Sequence, residues 1–112
     1  RIALGFAYAR LRMYGKALKQ LDETLKIDPE SELAYFYRGT VLYNSGKADA
    51  AIKSYLKAVS LRKGFAEAHY YLGQIYAEKG DTGAAVKHYR AALSANPKYT
   101  AARLALSKLK GK

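Results

Sequence analysis

Cysteine is absent from the chain, and its absence removes disulfides, thiol catalysis and cysteine metal sites. It does not locate the protein, since a cysteine-free chain is stable in any redox compartment. Proline occurs only twice and β-branched residues are few, so little opposes helix. Long hydrophobic runs are missing. The opening stretch RIALGFAYARLRMYG is interrupted by Arg10 and Arg12, and does not read as a signal peptide or a membrane span. The chain starts at Arg1 without Met and reads as a fragment, so an upstream targeting segment stays open; the expectation is a soluble protein, cytoplasmic by preference. Acids are scarce. The nine carboxylates are scattered, with no pair spaced for acid/base work. Serines and threonines have no companion base. The two histidines, His69 and His88, lack a ligand partner three or four residues away, so no metal site is expected. The glycines fit neither a dinucleotide loop nor a Walker loop. No catalytic residue and no cofactor are expected, and the reading is non-enzymatic.

What remains is rich in Ala, Leu, Lys and Tyr. Half of the 112 residues are hydrophobic, enough for the core of one domain. A net charge of +11 fits either a solubilising coat or an acidic partner.

The order in this composition is a repeat. Three segments align without gaps at an offset of 34 residues: Gly5, Gly39 and Gly73 fall in register, as do Ala17, Ala51 and Ala85. Leu21, Tyr55 and Tyr89 follow, then Thr24, Ala58 and Ala92, then Leu25, Val59 and Leu93. Pro29 and Pro97 close the first and third copies, where the middle one has Lys63. In the third copy Ala85, Tyr89, Ala92 and Leu93 recur as one stripe of an α-helix. Leu72, Gly73 and Tyr76 do the same one helix earlier. Between them EKGDTG breaks the chain: Gly80 suits a left-handed cap, and Asp81 the start of the next helix. NSGKAD is expected to act likewise at Ser45 to Asp49. Each copy is thus a helix hairpin. Gly73 and Ala85 let helices approach closely, and Tyr76 and Tyr89 fill the space beside them. A lone hairpin cannot bury its apolar side, so hairpins must stack. TAARLALSKLKGK supplies a last amphipathic helix.

These residues resemble the tetratricopeptide repeat. The third copy carries Leu72-Gly73, Tyr76, Ala85, Tyr89, Ala92 and Pro97 of that pattern, with His69 where the family often has Trp. The middle copy departs at Arg38, where the family prefers Leu, and at Lys63. The resemblance implies an all-α fold, a right-handed α-solenoid of antiparallel helix hairpins. The expected organisation is one domain over residues 1–112, with repeats at 1–31, 32–65 and 66–99 and a capping helix or partial repeat at 100–112. Packing explains His69 as a core substitute, and His88 is expected on the exposed side of its helix.

The resemblance also implies a concave groove lined by first helices, which in the family takes extended peptides or helices. By position its lining here is Phe6, Phe36, Tyr37, Thr40, Tyr43, Asn44, Tyr70, Tyr71 and Gln74, an aromatic and weakly charged surface. A protein segment held by apolar contact is the expected partner. The chaperone-tail mode of the family uses cations in the groove. The matching positions hold Ile2, Phe6, Tyr37, Glu67 and Tyr71, or one repeat later Phe36, Thr40, Tyr71, Ala101 and Ala105. None is basic, so no clamp for a chaperone C-terminal carboxylate is expected. The cations gather instead on second helices, at Lys19, Lys53, Lys57, Lys87 and Arg90. That predicts a basic convex face, either solvated or docking on an acidic partner, a membrane surface or a polyanion. A third reading is structural: packing on flanking repeats, or self-association through the aromatic face.

Overall fold

The structure, a computed structural model, describes residues 13–110. Those residues form six α-helices and no strand. They are α1 (Tyr14–Ile27), α2 (Glu32–Asn44), α3 (Ala48–Leu61), α4 (Ala66–Glu78), α5 (Thr82–Ala95) and α6 (Thr100–Lys110). The chain divides into two compact units, one ending at Leu61 and the other beginning at Arg62. In the first, α2 and α3 fold back on each other and α1 packs on α2; in the second, α4 and α5 pair and α6 packs on α5. Among the described residues no helix is long and apolar enough to cross a membrane.

Helix ends follow local chemistry. Gly46 and Gly80 adopt φ of 86° and 83° where α2 and α4 end, the left-handed conformation that costs glycine little. Asp28 and Asn96 end α1 and α5 with non-helical backbone, which the proline after each favours. Ser31 Oγ accepts from the Ala34 amide at 3.1 Å, and Asp81 Oδ1 accepts from the Ala84 amide at 3.1 Å. Each satisfies an amide that the helix leaves open. Ser31→Ala and Asp81→Ala are each expected to lower stability by about 1 kcal/mol, read as a shift in the urea midpoint. NSGKAD departs from expectation in one respect. Helix α3 already begins at Ala48, so Asp49 falls within its first turn, where a carboxylate suits the helix dipole.

The core of the first unit joins Ala17 and Leu21 of α1 to Ala34 and Val41 of α2, with Tyr14, Leu18, Leu25 and Tyr37 packed around them. On α3, Ala51, Tyr55 and Ala58 are buried. Tyr55 lies across Gly39: a Cβ there would stand 2.8 Å from the ring. The second unit repeats the arrangement, with Tyr89 of α5 across Gly73 of α4 at 2.7 Å. Its core unites Ala85, Tyr89 and Ala92 with Ala102 of α6. The glycine of each pair is small because a tyrosine ring occupies the place of its side chain.

Arg38, the off-pattern residue of the middle copy, is accounted for by its contacts. Its Nη1 donates to Ser54 Oγ at 2.9 Å and its Nε to Asp22 Oδ1 at 3.1 Å. The side chain links α1, α2 and α3, and satisfies a serine only 3% exposed. A guanidinium can do this because its donors fan out in one plane.

Candidate binding surface

In the first unit the candidate residues lie on α2. Phe36, Tyr37, Thr40 and Tyr43 are half-buried and Asn44 is exposed. The Phe36 ring meets Tyr37 edge-on at 5.6 Å and Tyr55 at 5.6 Å. Thr40 Oγ1 donates to the Phe36 carbonyl at 3.1 Å. Its single proton is thereby used, so at 2.9 Å the Tyr55 hydroxyl is the donor to Thr40 Oγ1. Thr40 therefore holds its unit together as well as standing at the surface. Tyr37 likewise packs against the core of α1 and α2.

In the second unit the candidates lie on α4. Tyr70, Tyr71 and Gln74 are half-buried and Glu67 is exposed. Tyr70 is the hub: its ring stacks on Tyr99 at 5.3 Å, meets Tyr71 edge-on at 5.4 Å and tilts against Tyr89 at 5.8 Å. Part of Tyr70 thus belongs to the core of α5 and α6. Tyr99, just before α6, was not among the residues chosen from sequence, yet it completes this cluster. Burial, then the nearby Tyr71, Glu67 and Tyr70, push its phenol up to about 12. Burial, with Tyr70 and Glu78, raises Tyr89 as well. The phenols stay neutral at physiological pH and present hydroxyls on a largely apolar bed. Such a surface buries aromatic area while offering hydrogen bonds at its edge. Exposed leucines flank the two sets: Leu33 at the start of α2 and Leu104 on α6. Phe6 lies outside the described residues.

The basic residues are all exposed: Lys19 on α1, Lys53 and Lys57 on α3, Lys87 and Arg90 on α5. Lys57 Nζ lies 6.0 Å above the Tyr35 ring, at the outer limit of a cation–π contact.

His88 corrects the sequence reading. It is only 8% exposed, not on the open side of α5, and its Nδ1 lies 3.2 Å from Nδ1 of His69 on α4. The signal was present in the spacing. His88 stands three residues after Ala85 and four before Ala92, inside the apolar stripe, as Ser54 does between Ala51 and Ala58. Both polar positions are buried. Among the described residues no group of three His, Asp or Glu could hold a metal ion.

Two tetratricopeptide-repeat models match the chain, one described as TPR repeat over residues 39–80 and one as tetratricopeptide repeat over residues 66–99. Together with the hairpins, the tyrosine-over-glycine packing and the repeated register, this decides the family. The chain is a tetratricopeptide-repeat protein. Its fold is an α-solenoid of antiparallel helix hairpins.

The peroxisomal targeting signal receptor of Kluyveromyces lactis is 29% identical over 68 residues, covering 61% of this chain and 12% of the receptor. The chain is thus similar to a small part of that protein. Among solved structures, the crystal structure of MamA gives a TM-score of 0.91 at 24% identity, over 98% of this chain and 64% of that one. The first tetratricopeptide unit of Spaghetti (RPAP3), bound to the HSP90 peptide SRMEEVD, gives a TM-score of 0.91 at 20% identity, over 98% and 87% of the two chains. At these identities the likeness to MamA and Spaghetti is one of fold.

Proposed function

We propose that this tetratricopeptide chain is a non-enzymatic interaction module that binds an apolar or aromatic protein segment through the aromatic residues on the first helix of its repeats. The boundaries we assign are repeats at 1–31, 32–65 and 66–99, followed by a capping helix or partial repeat at 100–112, all within a single domain. The observation that carries the binding reading is the Tyr70, Tyr71 and Tyr99 cluster. These half-buried rings pack on one another and on the core of their unit. Rigid aromatic side chains lose little entropy on binding, which is why they dominate hot spots. The Spaghetti complex, a peptide held by the same fold, supports a peptide partner in general terms. It does not supply the mode, because the positions that would match a carboxylate clamp here hold Tyr37, Glu67 and Tyr71, with no cation.

Photocrosslinking from position 71 or 74 would identify the bound segment together with the face that holds it. Tyr71→Ala, with helicity checked by circular dichroism, is then expected to weaken that segment's binding by about tenfold or more. Unchanged affinity in a folded variant would refute the groove reading. Self-association would appear instead as a sedimentation coefficient that rises with concentration.

A second reading rests on the exposure of all five candidate cations, Lys19, Lys53, Lys57, Lys87 and Arg90. Docking on an acidic surface or polyanion through them would weaken steeply with salt. Charge reversal at Lys53, Lys57 and Lys87 would abolish it while leaving aromatic-face binding in place.

A further inference from the structure

His69 and His88 meet head to head. Their Nδ1 atoms are 3.2 Å apart and their ring centroids 5.4 Å apart, a difference about equal to two imidazole radii, so the nitrogens lie between the ring centres. The planes differ by 27°. The rings therefore touch edge to edge through one hydrogen bond and do not overlap face to face. The other nitrogen of His69, Nε2, is 3.1 Å from the Lys63 carbonyl. Tyr76 is the other ring beside His88, with centroids 5.6 Å apart and planes within 7°.

The proton positions follow from these partners. A carbonyl can only accept, so Nε2 of His69 carries hydrogen. A neutral imidazole has one N–H, so Nδ1 of His69 is bare and accepts. Nδ1 of His88 is therefore the donor. With both rings neutral every proton in this arrangement has an acceptor. One added proton still permits a bond between the rings, but places charge on a partly buried pair beside the Lys87 ammonium. A second proton sets two N–H groups and two positive charges against each other.

We propose that His69 and His88 form an acid-sensitive catch that holds α4 against α5, closed at neutral pH and released as the pH falls. The groups acting on the pair come from each surrounding element: the Lys63 carbonyl before α4, Tyr76 on α4, and Lys87 on α5. Burial is the main cause that lowers both histidines, His88 to about 4; Lys87 reinforces it at both rings, His69 at His88, and the Lys63 carbonyl opposes it at His69. The sign follows directly. Above the ordinary histidine value of 6.5 both folded and unfolded chains are neutral, and the catch contributes fully. Below 6.5 the unfolded chain takes up protons that the folded one refuses, so stability is lost progressively until about pH 4, where His88 itself titrates. The catch stands independently of what the aromatic surface binds, although His69 directly precedes Tyr70 on α4.

Two measurements on the whole chain test it. Ring-nitrogen NMR from about pH 8 to about pH 4 is expected to find both histidines neutral through the ordinary range, with His69 protonated on Nε2 and His88 on Nδ1. Thermal unfolding by circular dichroism is expected to fall by roughly 5–10 °C between about pH 7 and about pH 5 in the unsubstituted protein, and by less than half as much in His88→Phe. The phenylalanine keeps an aromatic ring against Tyr76 but cannot titrate. A folded-state histidine that titrates at or above its ordinary value would overturn the proposal. So would an equal loss in a folded His88→Phe variant. Should that variant not fold, the titration of the unsubstituted chain decides.

Discussion

Replacing Tyr55 by alanine is expected to cost the protein about 3–5 kcal/mol, a large share of the total stability of a domain this small. The side chain is 1% exposed and is the largest of the fully buried ones. Its ring stands where a Cβ on Gly39 would be, and it also meets the Phe36 ring, with centroids 5.6 Å apart. Truncation leaves a cavity bordered by a residue with no side chain to fill it, so the site cannot collapse cheaply. The loss of the hydroxyl is the smaller part. Thr40 still donates to the Phe36 carbonyl when Tyr55 is gone, and loses only the proton it accepted. Tyr55→Phe should therefore cost about 1 kcal/mol. Urea unfolding followed at the helical band would separate the two: a large fall in midpoint for alanine, a small one for phenylalanine. Equal costs would mean that the hydroxyl, and not ring packing, carries the contact.

The same tyrosine–glycine pairing explains why the fold was so legible. A register of 34 residues brought Gly39 and Gly73, then Tyr55 and Tyr89, into line, and packing in both units uses them identically. Helix ends were readable because Gly80, Asp81 and the two prolines act locally, through backbone conformation and single hydrogen bonds. Asp49 falls inside the first turn of α3 and not ahead of it, and acids suit both places, so the acid does not by itself fix where the helix starts. The surface was harder to read. Position within the repeat put Tyr37 and Tyr70 on the binding side, yet both also lean into the cores of their units. How a long ring divides itself between core and surface depends on its rotamer and on its neighbours, and neither is periodic. Tyr99 escaped notice because it joins the cluster from the loop before α6. His88 is different, since its place within the apolar stripe is visible in the spacing. Burial of a polar ring depends on whether a partner awaits it, and His69 is nineteen residues away in the chain.

Gly73→Ala should run against ordinary helix propensity. In an open helical position alanine stabilises relative to glycine by up to about 1 kcal/mol. Gly83, in the first turn of α5, has room: a Cβ there would meet only Asp81 Oδ1, at 3.9 Å. Gly83→Ala is accordingly expected to be neutral or mildly stabilising. At Gly73 the new methyl would stand 2.7 Å from the Tyr89 ring, inside the distance that carbon atoms tolerate. The ring is 4% exposed and also packs against the Tyr70 ring, so it cannot simply swing away. Relief requires α4 and α5 to separate, and overpacking of this kind costs about 1–3 kcal/mol. The expected net result is destabilisation despite the better helix former, with a lower unfolding midpoint and unchanged helical content at room temperature. The direction of the difference between the two variants is the informative quantity. Should Gly73→Ala stabilise as much as Gly83→Ala, the close approach of α4 to α5 beneath Tyr89 would have to be abandoned, and with it the reason this position holds glycine.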